Sequence, residues 1–429
     1  MPSSGGMKVN RNKKAYKHEE WYNNMDSTKA YKFRLYPDSK RQAEIDLQLI
    51  LSKNFYNKLL EKAKEEYIKD KRSGIKRSSF NKMMKDIISE NKDFLKIYSQ
   101  TRQEIRDRVI KAYQNFFRRC REKNNGKNIK VGFPRFKSKD RYNSIVYPQD
   151  NGSFSIEKDR LRISRIGTMR IEMHRNVEGK IKTLTINKGA RNYYAIFTTG
   201  QIINPLKVKD TNPIGIDMGL KTFAVLSDGT KITKPNFRKN AEKHIARRQR
   251  IVARRKRGSK RRQIAKDRMN REYETVNDQT NDYLHKVTDK LINSGYTSFA
   301  VEKLQIQNMV KNHRLAKSIN YASWNKFFQL LSYKAESAGM KVVKVDPKNT
   351  TKTCNNCGNI QSMPLSKRIY YCEVCGLTED RDINASINIL KRATAGHAGS
   401  YVQGNNVRPQ REAVIEELKT YSASKEWNP

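Results

Sequence analysis

Four cysteines stand at a spacing suited to a metal ion: Cys354-x-x-Cys357 and Cys372-x-x-Cys375, with Gly358 and Gly376 directly after the pairs. Paired knuckles of this kind predict a tetrahedral four-thiolate zinc site. With no fifth ligand nearby, the ion, one Zn²⁺ per chain, is expected to be structural. A redox dithiol needs only one such pair, so two matched pairs favour zinc. Cys120 stands alone in a basic helical stretch and reads as an inert thiol, and the six histidines fall at no ligand spacing.

A second set of residues is acidic. Asp217 interrupts the apolar run Ile214-Gly215-Ile216-Asp217-Met218-Gly219, and Glu302 ends the run Phe299-Ala300-Val301-Glu302. A carboxylate in such a run is costly to bury unless it is paired or bound to metal. Either one alone is also explained by a strand that ends at solvent. Asp382 follows Asp380-Arg381 and precedes the apolar helical pattern Ile387, Ile389, Leu390, which places it at a helix start, where a carboxylate is electrostatically favoured. Capping alone accounts for that position. Together, however, two strand ends and one helix start can converge in a single α/β sheet. Divalent cations would then offset the mutual repulsion, and two Mg²⁺ ions about 4 Å apart would clamp the attacking and leaving oxygens of a phosphodiester.

A third set is basic: Arg247, Arg248, Arg250, Arg254, Arg255, Lys256, Arg257, Lys260, Arg261 and Arg262 crowd one predicted helix with few acidic neighbours. Such a run is often just a solvated face; here it is assigned to the phosphate backbone of a nucleic acid. Composition agrees, since 89 Lys and Arg against 43 Asp and Glu leave a formal charge of +46. A field of that size calls for a polyanion. No apolar run reaches the length of a membrane span and the first residues lack a signal-peptide pattern, so a soluble, cytoplasmic and nucleoid-associated prokaryotic protein is expected, with no membrane partner.

The elements that must position these residues follow from periodicity. Residues 1–28 are polar and aperiodic and are expected to be flexible. KAYKFRLY alternates like a strand from Lys29, and Ser39 with Gln42 forms a candidate capping box for a helix whose apolar face holds Ile45, Leu49, Tyr56, Leu59 and Ala63. Basic helical segments fill 38–129. YNSIVYP, GSFSI, RLRIS, TMRIEMH, KIKTLTIN and YYAIFTTG read as short strands, so that 29–37 and 130–211 are expected to form one β domain split by the helical insert. From residue 212, PIGIDMG and KTFAVLSDG predict a strand pair, then one long helix over 238–294, then alternating strands and helices. That order implies an α/β sheet of RNase H-like form over 212–349 and 377–395, interrupted by the zinc-binding segment 350–376. Residues 396–429 read as a loose tail.

The segments GIDMGLKTFAVLSDG, FAVEKL, VKNHRLAKSI, ASWNKF, TCNNCGN, YCEVCG and DRDINASINIL resemble TnpB proteins of insertion sequences, and more distantly the compact type V CRISPR effectors. KAYKFRLYP, GFPRFKSK and MHRNVEGKIKTL carry the resemblance into the first half, so it spans 29 to about 395. It implies a multidomain protein: a wedge-like β-barrel domain interrupted by a helical recognition domain, and a RuvC nuclease domain with an inserted zinc ribbon. It places the catalytic Asp, Glu and Asp of the RuvC motifs on Asp217, Glu302 and Asp382. It further implies a guide RNA encoded at the transposon end and double-stranded target DNA cut beside a short adjacent motif. The segment NDQTNDYLHK departs from the resemblance in lacking an Arg near Thr280. Two other readings of the same fold are a compact CRISPR effector nuclease and a nuclease-inactive RNA-guided repressor; the retained carboxylates argue against the latter. An unguided zinc-ribbon DNA-binding protein or resolvase is a reading of another class. The sequence does not specify the oligomeric state.

Overall fold

In a computed structural model, residues 25–69, 77–148, 152–203, 211–364 and 367–395 are described. The expectations for most of the first 28 residues and for 396–429 lie outside these. The chain folds as two compact units, one made of 26–202 and one of the residues that follow.

In the first unit a seven-stranded sheet runs in the order β2-β6-β7-β1-β5-β4-β3. Its strands are β1 (Met25–Tyr36), β2 (Ser144–Tyr147), β3 (Phe154–Glu157), β4 (Arg160–Ile163), β5 (Gly167–Glu172), β6 (Lys180–Lys188) and β7 (Tyr193–Ile203). The first strand starts at Met25 rather than Lys29. Its alternate residues Tyr31, Phe33 and Leu35 are buried, as a period of two requires of a strand with one covered face. Because β1 lies between β7 and β5, the sheet is built from segments that the helical insert separates in sequence. Those helices are α1 (Ser39–Lys69), α2 (Arg77–Glu90) and α3 (Ser99–Asn124). The α1 cap is Asp38, whose Oδ1 accepts from the Arg41 N–H at 2.7 Å, and Gln42 donates to Pro37 O. The expected Ser39–Gln42 box is thus displaced by one residue, since a carboxylate is the stronger acceptor at a helix N-terminus.

The second unit holds the acidic residues. Its sheet runs β10-β9-β8-β11-β12, from β8 (Pro213–Met218), β9 (Ala224–Leu226), β10 (Lys231–Ile232), β11 (Ser298–Glu302) and β12 (Lys341–Val345). β8, β9 and β10 are antiparallel neighbours; β8, β11 and β12 run parallel. The helices are α4 (Phe237–Ala253), α5 (Lys260–Ile292), α6 (Ile306–Met309), α7 (His313–Ala322), α8 (Trp324–Ser337) and α9 (Arg381–Ala395). The long helix expected over 238–294 is two helices. Gly258 takes a left-handed φ of 83°, and Ser259 opens α5 by accepting from the Arg262 N–H at 3.1 Å. Much of the basic run therefore sits in a turn between helices.

The two faces of this sheet differ in side-chain size. Ile214, Ile216, Met218, Phe299 and Val301 form one face and pack with Leu284, Leu291, Trp324, Phe327 and Leu331 of α5 and α8. Each such side chain, when fully buried, contributes about 1.5–3 kcal/mol. The opposite face is lined by Gly215 and Ala300, small residues that admit α9 to close range. Ala300 and Val345 pack on Ile389 and Ala393. A Cβ added to Gly215 would lie 2.1 Å from the Ser386 carbonyl oxygen and 3.0 Å from Leu390 Cβ. Only glycine therefore fits between strand and helix. Gly215→Ala is expected to push α9 off the sheet and lower stability by about 1–3 kcal/mol, the usual cost of overpacking. Chemical denaturation measures this, and an unchanged midpoint would show that the helix backbone yields freely.

Candidate active site and metal centre

Asp217 and Glu302 gather because the sheet register and the strand period act together. Ile216 stands opposite Val301, which brings Asp217 and Glu302 level at the C-terminal ends of two adjacent parallel strands. Each lies two residues beyond the small residue that faces α9, Gly215 or Ala300, so both carboxylates lie on the α9 side. After β8 the chain turns toward β9; after β11 it goes on to β12, on the opposite side. Such a divergence opens a crevice at the carboxyl ends of a sheet.

Asp382 comes to the same place from the first turn of α9. It is not the helix cap. Asp380 Oδ1 accepts from the Asp382 N–H at 2.8 Å, and Asp380 also pairs with Lys231 at 2.6 Å. Relieved of capping, the Asp382 carboxylate lies 3.5 Å from the Arg381 guanidinium and 3.6 Å from that of Arg368.

Burial pushes the Asp217 carboxyl from its ordinary 3.8 up to about 8; the charges of Glu302 and Asp382 push the same way, against Arg381 and the Met218 N–H. Asp217 therefore feels both of the other carboxylates. Glu302, 9% exposed, is also raised by burial, opposed by a hydrogen bond from the Thr350 hydroxyl and by the charge of Arg392. All three are hard oxygen donors, with neither thiol nor imidazole among them, a set that suits Mg²⁺. Their ligand atoms are less tightly gathered than the thiols. Among the described residues, the four cysteines alone form a group of His, Cys, Asp or Glu donors lying within 4.8 Å of one another.

That thiol group is built from two matching turns. Cys354 and Cys357 lie between the bridged residues Thr353 and Ile360; Cys372 and Cys375 lie between β13 (Ile369–Tyr371) and β14 (Thr378–Asp380), which pair antiparallel. Gly358 and Gly376 close the turns at φ 77° and 71° and donate to the carbonyls of Cys354 and Cys372. The sulfurs of Cys354 and Cys375 are 3.6 Å apart, and those of Cys357 and Cys372 are 3.5 Å apart. A tetrahedron with Zn–S bonds of about 2.3 Å has edges of about 3.8 Å, so the thiols fit a zinc ion. Backbone N–H groups of Leu377 and Asn359 point at Cys375 and Cys357, as thiolate ligands require.

Polar residues of α9 tie this segment to the sheet. Asn388 donates to the carbonyls of Thr350 at 3.0 Å and Thr353 at 2.6 Å. Asn384 donates to Thr353 O and accepts from the Asn355 N–H, and Arg392 donates to Asp346 O and Lys348 O. Sequence reading missed Thr350, Arg368, Asn384 and Asn388, because nothing in their spacing marks them.

The predicted nucleic-acid contacts divide. Arg248, Arg255 and Arg261, with Arg268, line a cleft of about 160 Å³ floored by Ile251, Ile264 and Ala265 between α4 and α5. Arg247, Arg254 and Arg257 are exposed. Arg262 turns inward and donates to Val252 O at 2.6 Å and Arg255 O at 2.7 Å, so it closes the helical hairpin. Arg248 also pairs with Glu272 at 3.7 Å.

A mixed α/β unit with acidic strand ends and a four-cysteine insertion is also what the chain shares with known proteins. Profiles described as "Probable transposase" and "Cas12f1-like, TNB domain" match residues 183–313 and 324–389. A third, "Helix-turn-helix domain", matches 25–72, although this stretch forms one strand and a helix unbroken to Lys69. A "Putative RNA-guided DNA endonuclease" of Streptomyces pristinaespiralis is 29% identical over 90% of this chain and 93% of its own length. A "Putative RNA-guided DNA endonuclease InsQ" of Escherichia coli (strain K12) is 28% identical over 92% and 99%. The solved structure described as "Cryo-EM structure of the Cas12f1-sgRNA-target DNA complex" superposes with a TM-score of 0.51 at 13% identity, covering 86% of this chain and 99% of that one, a likeness of fold. Over most of its length the chain is thus similar to TnpB-like proteins and to relatives named as RNA-guided DNA endonucleases. No helix among the described residues is long and apolar enough to cross a membrane.

The sign of the Asp217 shift sets a pH dependence. Folded Asp217 holds its proton more tightly than unfolded Asp217 does. In metal-free protein, its contribution is therefore full below its ordinary value of 3.8 and is lost as pH rises through about 8. A cation must displace that proton. The rise in Tm on adding Mg²⁺ is expected to be several degrees larger at about pH 8.5 than at about pH 6, and Asp217→Asn to abolish the difference. Equal rises at both pH values would count against Asp217 as a ligand.

Proposed function

We propose that this chain is an RNA-guided DNA endonuclease that hydrolyses phosphodiester bonds at Asp217, Glu302 and Asp382. The observation that carries this reading is the convergence of those carboxylates at the ends of β8 and β11 and the start of α9, on a sheet whose order and strand directions suit an RNase H-like, RuvC-type domain. Guidance by RNA is supported by the relatives named as RNA-guided DNA endonucleases, which align over nearly the whole chain. The partners are then a guide RNA from the transposon end and a double-stranded DNA target read by base pairing beside a short motif.

The three carboxylates hold Mg²⁺. Two bound ions would activate a water and stabilise the leaving oxygen of the cut strand. Asp217 accounts for most of the electrostatic demand, since burial and two like charges hold its proton up to about pH 8 unless a cation offsets them. Arg381 and Arg368, beside Asp382, limit repulsion between the acidic pocket and an incoming phosphate. The hairpin from Arg247 to Arg262 grips phosphates without reading sequence, through Arg247, Arg248, Arg254, Arg255, Arg257 and Arg261, while Arg262 shapes the turn. The cysteine segment 350–376 holds one Zn²⁺ that fixes its two turns. The sheet of the first unit and its helical insert serve as the wedge-like and recognition domains, and the chain works in the cytoplasm at the nucleoid.

Asp382→Ala is expected to lower cleavage of a matched duplex in Mg²⁺ by at least about a hundredfold, while guide and target binding stay near wild type. Asp217→Ala and Glu302→Gln should behave alike without adding, because each dismantles a shared site. Cleavage near wild type in the Asp382 variant would remove it from the site. Elemental analysis is expected to find one zinc per chain, and Cys357→Ser to lose it together with the protease resistance of residues 350–376. Zinc-free protein with an intact segment would rule out the structural ion.

A further inference from the structure

Thr350 lies outside every motif, yet it is 2% exposed and its hydroxyl donates to Glu302 Oε1. The hydroxyl has one proton and two acceptors in reach, Glu302 and Pro347 O at 3.2 Å. The carboxylate is the stronger acceptor, because hydrogen bonds to an ionised partner are roughly twice as strong as neutral ones. The position of Thr350 is itself fixed. Its carbonyl accepts from Asn388 at 3.0 Å, and the other hydrogen of that amide goes to Thr353 O. Asn388 lies on α9, the helix that carries Asp382, and Thr353 immediately precedes Cys354 of the thiol cluster. A continuous path of hydrogen bonds thus joins Glu302 to the helix bearing Asp382 and to the first cysteine turn.

We infer that Thr350 is a positioning residue for the carboxylate site: its hydroxyl holds Oε1 of Glu302, so that Oε2 is presented to a divalent cation in fixed register with Asp382. This rests on the nuclease reading above. Glu302 ends its strand, and beyond Val301 the sheet constrains its backbone but not its side-chain torsions. Three rotatable bonds would otherwise let the carboxylate swing toward solvent and away from Asp217. Thr350 removes that freedom before the cation arrives, which lowers the ordering cost of binding it.

The test compares Thr350→Val, which keeps the branched shape and loses the donor, with Thr350→Ser, which keeps the donor. Guide-loaded protein is assayed for single-turnover cleavage across a Mg²⁺ series, and apo protein is assayed for the rise in Tm produced by Mg²⁺ alone. Thr350→Val is expected to raise the half-saturating Mg²⁺ concentration by about tenfold or more, as the loss of a hydrogen bond to a charged group implies. Its Mg²⁺-dependent rise in Tm should shrink in parallel, while zinc content and target binding stay unchanged. Thr350→Ser is expected to restore both readouts to near wild type. A Val variant with unchanged Mg²⁺ dependence overturns the inference, as does a Ser variant as impaired as the Val one, since that would make Thr350 a packing residue. If wild-type protein cleaves nothing but is stabilised by Mg²⁺, the nuclease reading fails and the Tm series still decides the role of Thr350. A wild-type protein that Mg²⁺ does not stabilise overturns the positioning role outright.

Discussion

Carboxylates brought together in a half-buried crevice repel one another, and the second unit is organised around that repulsion. Asp217 bears most of it: burial, Glu302 and Asp382 all favour its protonated form. The protein answers with a different partner for each of the other two groups. Glu302 has the Thr350 hydroxyl and the field of Arg392; Asp382 has Arg381 and Arg368. None of these partners is strong enough to neutralise Asp217. The cluster thus retains an unmet demand for positive charge, which a divalent cation would satisfy and a neutral ligand would not.

The backbone that holds this cluster depends on a steric match. α9 reaches the sheet only because Gly215 and Ala300 present almost no side chain on that face, and the Gly215 site leaves no room even for a methyl group. The opposite face carries the large apolar residues and meets α5 and α8. This asymmetry lets one helix bring Asp382 down onto two strand ends while the other face provides the hydrophobic stabilisation. Charge follows the same division of labour: the basic hairpin lies on α4 and α5, elements separate from the acidic crevice, and Asp380, which pairs with Lys231, takes over the capping that would otherwise occupy Asp382.

The cysteine segment is more than an appendage between β12 and α9. Asn384, Asn388 and Arg392 bind its entry segment from the helix side, and Arg381 donates back to Lys367 O at 3.0 Å. A fixed pair of thiol turns therefore anchors both ends of the loop from which Thr350 and Arg368 reach the carboxylates. Order in the sulfur cluster and order at the acidic crevice share the same hydrogen bonds.

The sequence by itself determined the elements that local chemistry specifies. The cysteine turns follow from spacing and glycine, and β8, β11 and α9 follow from apolar period. The six short strands of the first unit follow from alternation between turn residues, as their registers bear out. Asp217 and Glu302 were conspicuous because charge interrupts an apolar run, a signal that needs no partner to be seen. The tertiary structure decided what depends on residues distant in the chain. Whether the basic run was one helix or two turned on a left-handed Gly258 and a cap at Ser259, since helical period alone does not register a break that preserves the pattern. Whether Asp382 was a cap turned on Asp380, two residues away and equally acidic. Thr350 had no visible signal at all, because a hydroxyl acquires its role only from the carboxylate opposite it, and Glu302 lies 48 residues earlier in the chain.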